Sequence, residues 1–407
     1  MCDAGLTDPV LAYARSEGRA VIGGYVYRGS AVPDLTGVYV YGDWSAGTVW
    51  GLFFDENGDP DPRVLAETGD NILAFAQDHD GEIFIVTTNG FLTLEANTGE
   101  NVDTIPTQLS DVECLDPSRP EDPLATMIPY DVNVTFWSNN GVKERFAAIP
   151  EGKTVEIESN GGLTFPRGSV FLKNFRHEGV LVETRLLVRH EDGGWAGYAY
   201  EWNEDQTDAT LLDSEKTKTV HGQDWTYPSR AQCLGCHTES AGRVLGFTTE
   251  QLQRSFRYPS TGRTANQLAT FEHIGLFNED LPADPEDMPA LADPTDESLD
   301  LETRARAYLH ANCSNCHRPD NPIDTPLDFR YTTPLSEMGL CDVEPTAGDL
   351  GVDGAKLLVP GDPSRSLVSL RFRLLGADSM PPLGKTVVDE KGADLIDAWI
   401  STLTGCP

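Results

Sequence analysis

Two pentapeptides hold most of the reactive side chains of this sequence: Cys233-Leu234-Gly235-Cys236-His237 and Cys313-Ser314-Asn315-Cys316-His317. Two thiols separated by two residues fit one helical turn. Both sulfurs can then bond the vinyl groups along one porphyrin edge while the following His reaches the iron from the same face. The spacing predicts two covalently bound haems, with Cys233, Cys236, Cys313 and Cys316 as thioether cysteines and His237 and His317 as proximal ligands. Paired cysteines also serve other chemistry. Four thiolates could share one zinc, but the pairs start 313 − 233 = 80 residues apart, beyond the usual ribbon spacing, and zinc leaves the repeated His without a purpose. A thioredoxin-type pair would follow a strand in a βαβ pattern, and neither motif does.

The elements that must position these residues can be read from periodicity. After Tyr227 the stretches TTEQLQRSF, ANQLATFEHIG and LETRARAYLHANC place apolar residues three and four apart, as helices require. The acidic, Pro-rich stretch 278–300 between the motifs reads as a linker. Upstream, TVEIE, GSVFLKNF, LVETRLLVRH and WAGYAYEW read as strands, the last two joined by a hairpin at Asp192 to Gly194. Residues 20–94 are short strands bounded by Gly, Asp and Asn. The turn from Asp55 to Asp61 reads as a hairpin, with calcium binding by its carboxylates as the alternative. The expected organisation is a β-rich region at 1–105, a linker at 106–123, a β-rich, sandwich-like domain at 124–225, a first haem segment at 226–300 and a second haem domain at 301–407.

With 30 basic and 65 acidic residues the chain carries a formal charge of −35. Such a surface repels nucleic acid and anionic membranes and suits a cationic redox partner or solubility in salt. No apolar run reaches the ~18 residues of a spanning helix. MCDAGLTDPV lacks the basic and apolar regions of a signal peptide, and Cys2 lacks the apolar stretch that precedes a lipid-anchored cysteine. Because haem is attached after export, a mature form or a piece of a longer precursor is expected, in the periplasm or outside the cell. Four cysteines remain, an even number suited to an oxidising compartment. Pairing within domains predicts Cys341 with Cys406 and Cys2 with Cys114.

Downstream of the second motif, SMPPLG with Met380 precedes KGADLIDAWISTL, with apolar residues at Leu395, Ile396, Trp399, Ile400 and Leu403. This arrangement resembles a class I cytochrome c domain. The resemblance implies Met380 as the sixth ligand opposite His317, a C-terminal helix crossing the motif helix, and the higher reduction potential at that centre. For the first centre the candidates are His221, His273, Met288, Met127 or none.

The stretch from Pro129 to Cys406, with IPYDVNVTFWSNNGVKERF, FPRGSVFLKNF, WTYPSRAQCLGCH and RAYLHANCSNCHRP, resembles a dihaem cytochrome module. Residues 21–94, with GGYVYRG, LTGVYVYGDWSAGTVWGL and FAQDHDGEIFIVT, resemble the closing blades of soluble quinoprotein sugar dehydrogenases. Together they imply an α+β chain of partial β-propeller-like blades, a β-sandwich-like domain and a mostly helical dihaem region. The matching stretch supplies neither that family's catalytic His nor its Arg-rich grip, so no pyrroloquinoline quinone is expected. The implied role is electron transfer from an exported dehydrogenase to an outward acceptor. A peroxidase-like enzyme with an open iron, and a carbohydrate- or partner-binding module with ancillary haems, are the alternatives.

Overall fold

The computed structural model describes residues 9–13, 18, 20–45, 47–55, 58–68, 70–96, 105–158, 162–321 and 325–407. The chain is mixed α+β, with sheets in its N-terminal and central parts and helices concentrated toward the C-terminus. It divides into two compact units, Met1–Thr104 and Ile105–Pro407. Among the described residues no helix is long and apolar enough to cross a membrane.

The first unit is antiparallel. Strands β1 (Val21–Val26), β2 (Tyr39–Asp43), β3 (Thr48–Phe54) and β4 (Pro60–Glu67) form one sheet in chain order, and β5 (Ile72–Gln77), β6 (Ile83–Thr87) and β7 (Gly90–Thr93) form a second. Val40, Val49, Ile72, Phe75, Ile83 and Ile85 bury one side of these strands around Tyr27. At the β3–β4 hairpin the Asp59 amide donates to the Asp55 carboxylate at 2.8 Å, and Arg63 pairs with Asp61 at 2.6 Å. Residues 56–57, inside the segment considered for calcium, lie outside the described residues.

The second unit opens with the short pair β8 (Leu115–Asp116) and β9 (Arg119–Pro123). Its frame is a six-stranded antiparallel sheet: β10 (Ile128–Tyr130), β11 (Val142–Ala148), β14 (Val170–His177), β15 (Val180–Arg189), β16 (Trp195–Trp202) and β17 (Ala209–Leu211). The ribbons β12 (Glu156–Ile157) with β13 (Leu163–Thr164), and β18 (Lys216–Val220) with β19 (Gln223–Tyr227), stand apart from it. Helices α1 (Arg230–Cys236) and α2 (Thr249–Leu252) follow, then the pair β20 (Ser255–Arg257) and β21 (Thr264–Asn266), then α3 (Gln267–His273), α4 (Leu301–Cys313), α5 (Leu367–Arg373) and α6 (Glu390–Thr402).

Alternation along the central strands sorts side chains onto two faces, and both are buried. One face, with Leu172, Leu186, Tyr198 and Tyr200, packs on Leu109, Val112, Leu115 and Met127. The other, with Ala147, Phe171 and Leu187, packs on Val244, Phe247, Leu252, Leu268 and Phe271 from the helical half. The middle region is therefore one sheet between two layers of chain, where a sandwich of two sheets was expected. Strand patterning tells how many faces are apolar, while what covers them is a tertiary outcome.

That arrangement also gives the expected linkers a structural part. Segment 106–123 is polar and Pro-rich in sequence, yet Tyr200 donates to the Pro106 carbonyl at 2.7 Å, Ser110 donates to Asp208, and Asn174 donates to the Glu121 carbonyl at 3.1 Å. Leu109, Val112 and Leu115 of this segment are all buried. Within 278–300, Leu281, Met288 and Leu291 are buried as well. The helices within 226–300 are shorter than periodicity suggests: TTEQLQRSF is helical only over Thr249–Leu252 before entering β20.

Cys341 and Cys406 form a disulfide with Cα atoms 5.7 Å apart, tying the loop beyond the second motif to the segment after α6. Cys2, the expected partner of Cys114, lies outside the described residues. The bridge closes a span of 65 residues, so replacing both cysteines by Ser is expected to cost roughly 2–4 kcal/mol of unfolding free energy. Denaturant titration of the variant, with peptide mapping of the unreduced wild type, checks it; an unchanged midpoint would refute the contribution.

Candidate functional site

Helix α1 starts on a capping box. Ser229 Oγ accepts from the Gln232 amide at 3.3 Å while the Gln232 side chain accepts from the Ser229 amide at 2.9 Å, and Gln232 also donates to Glu215. The S-x-x-Q signal immediately before the first motif marks that helix start in sequence, although periodicity over so short a helix does not. The helix lies on β16, where a Cβ on Gly197 would come within 2.5 Å of Cys233 Cβ and 2.7 Å of its sulfur. Only glycine permits this approach.

The first motif closes as a turn in which the His237 amide donates to the Cys233 carbonyl at 2.9 Å. Its imidazole Nδ1 sits 2.6 Å from the Arg243 carbonyl, and Arg243 Nη1 donates to the His237 carbonyl at 3.2 Å. A carbonyl partner fixes Nδ1 as the protonated nitrogen and leaves Nε2 with a lone pair, the tautomer a metal-ligating His needs. Burial, reinforced by the nearby Lys173 charge, holds this imidazole far below the usual range, at about 3, so it is neutral at ordinary pH.

The second motif repeats the backbone closure of the first. Helix α4 starts on Asp300, which accepts from the Thr303 amide at 2.9 Å, and ends at Cys313. The His317 amide donates to the Cys313 carbonyl at 2.8 Å. The Phe329 amide donates to the His317 carbonyl at 2.9 Å, and the two rings meet edge-on at 5.3 Å. Helix α4 packs on α6, where the Tyr308 hydroxyl donates to Asp389 at 2.7 Å and a Cβ on Gly392 would meet that hydroxyl at 2.4 Å. Ala305, Leu309, Phe372, Ile396, Trp399 and Ile400 fill the core between the helices.

The two turns meet. Thr238 Oγ1 donates to the Asn315 carbonyl at 3.0 Å, Arg318 donates to the Ser240 carbonyl at 2.8 Å, and the Asn321 amide bridges Thr238, Ser240 and Asn315. Cys316 Sγ lies 3.5 Å from the Gly235 carbonyl. The four thiols nevertheless do not converge as a single centre: among the described residues no group of three or more His, Cys, Asp and Glu is arranged to hold a metal ion by itself.

Met380 lies on the loop between α5 and α6, 37% exposed. Its amide donates to the Arg371 carbonyl at 2.9 Å, and its carbonyl accepts from Lys385 at 2.9 Å. Lys385 also donates to the Phe372 carbonyl, and the Phe372 ring meets Tyr308 of α4 edge-on at 5.7 Å, which links the Met380 loop to that helix. Of the four candidates for the first centre, three pack against other residues and one is exposed. Met127 is buried with Leu109 and Leu115, and Met288 with Phe271 and Leu281. His221 stacks on His177 with ring centroids 5.8 Å apart, and His273 is exposed at the end of α3.

A further feature of the site had no periodic signal. Arg145, Lys173 and Arg185 occupy one register row across β11, β14 and β15, on the sheet face that includes Gly197. The residues present therefore fit two covalently attached haems: paired thiols on one turn, an imidazole following each pair, that of His237 held neutral by burial, and a glycine-lined seat for α1. No protein-family model matches the chain, and no solved structure gives a significant match.

Gly197→Val is expected to push α1 off the sheet at a cost of about 1–3 kcal/mol, the usual range for overpacking. Denaturant unfolding of the variant measures it, and a wild-type midpoint would show that the contact yields without cost.

Proposed function

We propose that this chain is a dihaem electron-transfer protein of the c type, with one haem on Cys233, Cys236 and His237 and the other on Cys313, Cys316 and His317. The observation that carries this reading is the direct packing of two CxxCH turns whose backbones are closed in the same way. Bound haem supplies a one-electron Fe(III)/Fe(II) couple. The chain's residues do the rest: the Arg243 carbonyl orients His237 and strengthens it as a donor, Phe329 holds the His317 turn, and the Thr238–Asn315 and Arg318–Ser240 hydrogen bonds keep the two centres adjacent for transfer between them. Met380 is the proposed sixth ligand opposite His317.

The sequential four-stranded sheet of the first unit suits the propeller-blade resemblance. We assign the chain to an exported relay that takes electrons from a dehydrogenase, a quinoprotein being the candidate donor, and passes them outward. The charge of −35 favours a basic docking partner.

A second reading has its own support. With Met127 and Met288 packed in hydrophobic clusters, His221 stacked on His177 and His273 exposed, the centre on His237 would keep an open sixth position and act on a small ligand, as a peroxidase does.

Mass analysis after acid and organic extraction is expected to find two haems on the polypeptide, and one after Cys233→Ala/Cys236→Ala. No retained haem, with zinc bound instead, would sink the proposal. Carbon monoxide added to the reduced protein separates the two readings: an unchanged spectrum supports a relay with both irons closed, and a shifted one supports the open site.

A further inference from the structure

The loop between α5 and α6 carries Met380, and its main chain is tied down on both sides of that residue. On the N-terminal side, Arg371 Nη1 donates to the Asp378 carbonyl at 3.2 Å, and the Met380 amide donates to the Arg371 carbonyl at 2.9 Å. On the C-terminal side, Pro381 and Pro382 have no amide hydrogen to offer. The Lys385 ammonium supplies the tie there, donating to the Met380 carbonyl at 2.9 Å and to the Phe372 carbonyl. Phe372 lies in the last turn of α5, where carbonyls lack helical partners and a cation is favoured.

Lys385 also stands 5.0 Å from the centroid of the Phe372 ring. Burial lowers its ammonium only to about 8, so it stays mainly protonated at neutral pH. Just beyond it the loop docks onto other parts of the unit: the Thr386 amide donates to Asn139 Oδ1 at 2.8 Å, and the Thr386 hydroxyl donates to the Asp224 carbonyl. Leu383 reaches the first motif, its Cδ1 lying 3.5 Å from where a Cβ on Gly235 would stand. The Met380 side chain is 37% exposed, so the path of its main chain is what aims the sulfur.

We propose that Lys385 is the positioning residue for the Met380 sulfur: by holding the carbonyls of Met380 and Phe372 together, it fixes the loop that presents Met380 to the centre on His317. The inference rests on the dihaem reading, with Met380 as sixth ligand, and deepens it. A thioether is a weak ligand on a flexible side chain, and a loose loop would add its own ordering entropy to the cost of every ligation. A main chain already held in place removes that cost. Met ligation raises the potential of a haem centre, so releasing the loop lowers the potential of the centre on His317 and leaves its sixth position open.

The test compares the holoprotein with Lys385→Leu and Lys385→Arg. Retained haem mass, a redox titration and the weak Met-to-iron absorption band near the red end of the oxidised spectrum are measured on each. Leu keeps an apolar contact with the Phe372 ring and removes both donated hydrogen bonds, whereas Arg keeps donors. Lys385→Leu is expected to retain two haems, lose the band and lower the higher potential by at least a tenfold change in the equilibrium constant, about 59 mV for one electron. Lys385→Arg should keep the band and the potential. An unchanged band and potential in Lys385→Leu would overturn the proposal while leaving the dihaem reading intact. Equal losses in both variants would overturn it in favour of side-chain shape, and failure of Lys385→Leu to fold or retain haem would overturn it in favour of a folding role. Two haems without the band in the wild type would sink the assignment of Met380 and this proposal with it. Absence of covalent haem from the wild type would sink the dihaem reading itself.

Discussion

The Thr238 hydroxyl, nearly excluded from solvent, donates to the main-chain carbonyl of Asn315, and the arrangement of the second unit depends on this contact between turns distant in sequence. A buried carbonyl without a partner costs about 1–3 kcal/mol. The interface therefore holds only when both turns present their polar groups in the right places, as Thr238, Ser240, Asn315, Arg318 and Asn321 do together. Each motif helix is fixed at its other side by a glycine: α1 on the sheet at Gly197, and α4 against α6 at Gly392. Asn312 adds a tie from α4 to the chain ahead of β11, accepting from the Trp137 amide at 2.7 Å. The motifs are thus anchored from behind and meet in front.

Electrostatics inside the second unit oppose those of the chain as a whole. The surplus of acidic residues makes the protein an anion, yet the sheet face beneath α1 concentrates Lys143, Arg145, Lys173 and Arg185. Buried charges are tolerated when paired, and Asp131 and Glu183 pair the two arginines, with the Trp225 indole donating a further bond to Glu183 at 3.0 Å. Removing either carboxylate would leave a guanidinium uncompensated. The same low-dielectric surroundings that make such pairs demanding also keep His237 neutral.

Much of this was legible in sequence because it is local. The CxxCH spacing, the helix over Leu301–Cys313, the helix over Glu390–Thr402, the strands β14, β15 and β16 with their hairpin at 192–194, and the pairing of Cys341 with Cys406 follow from neighbouring residue types or from cysteines kept within one domain. Periodicity and turn chemistry operate over a few residues, and these elements needed no more. The expectation of linkers at 106–123 and 278–300 followed composition, which counts polar residues but is blind to where a few apolar ones, such as Leu109 or Leu291, will be buried.

What the tertiary structure alone decided is which distant residues share a place. No pattern in the chain puts Thr238 beside Asn315, Gly197 beneath Cys233, or Lys173 in a row with Arg145 and Arg185, because strand register and helix docking are set by the summed burial of two sheet faces. The identities of the thiols and imidazoles were written in two pentapeptides. Their distance from one another, and the charges that surround them, came from a six-stranded sheet covered on both sides: register joins residues tens of positions apart, and burial makes each such neighbour count.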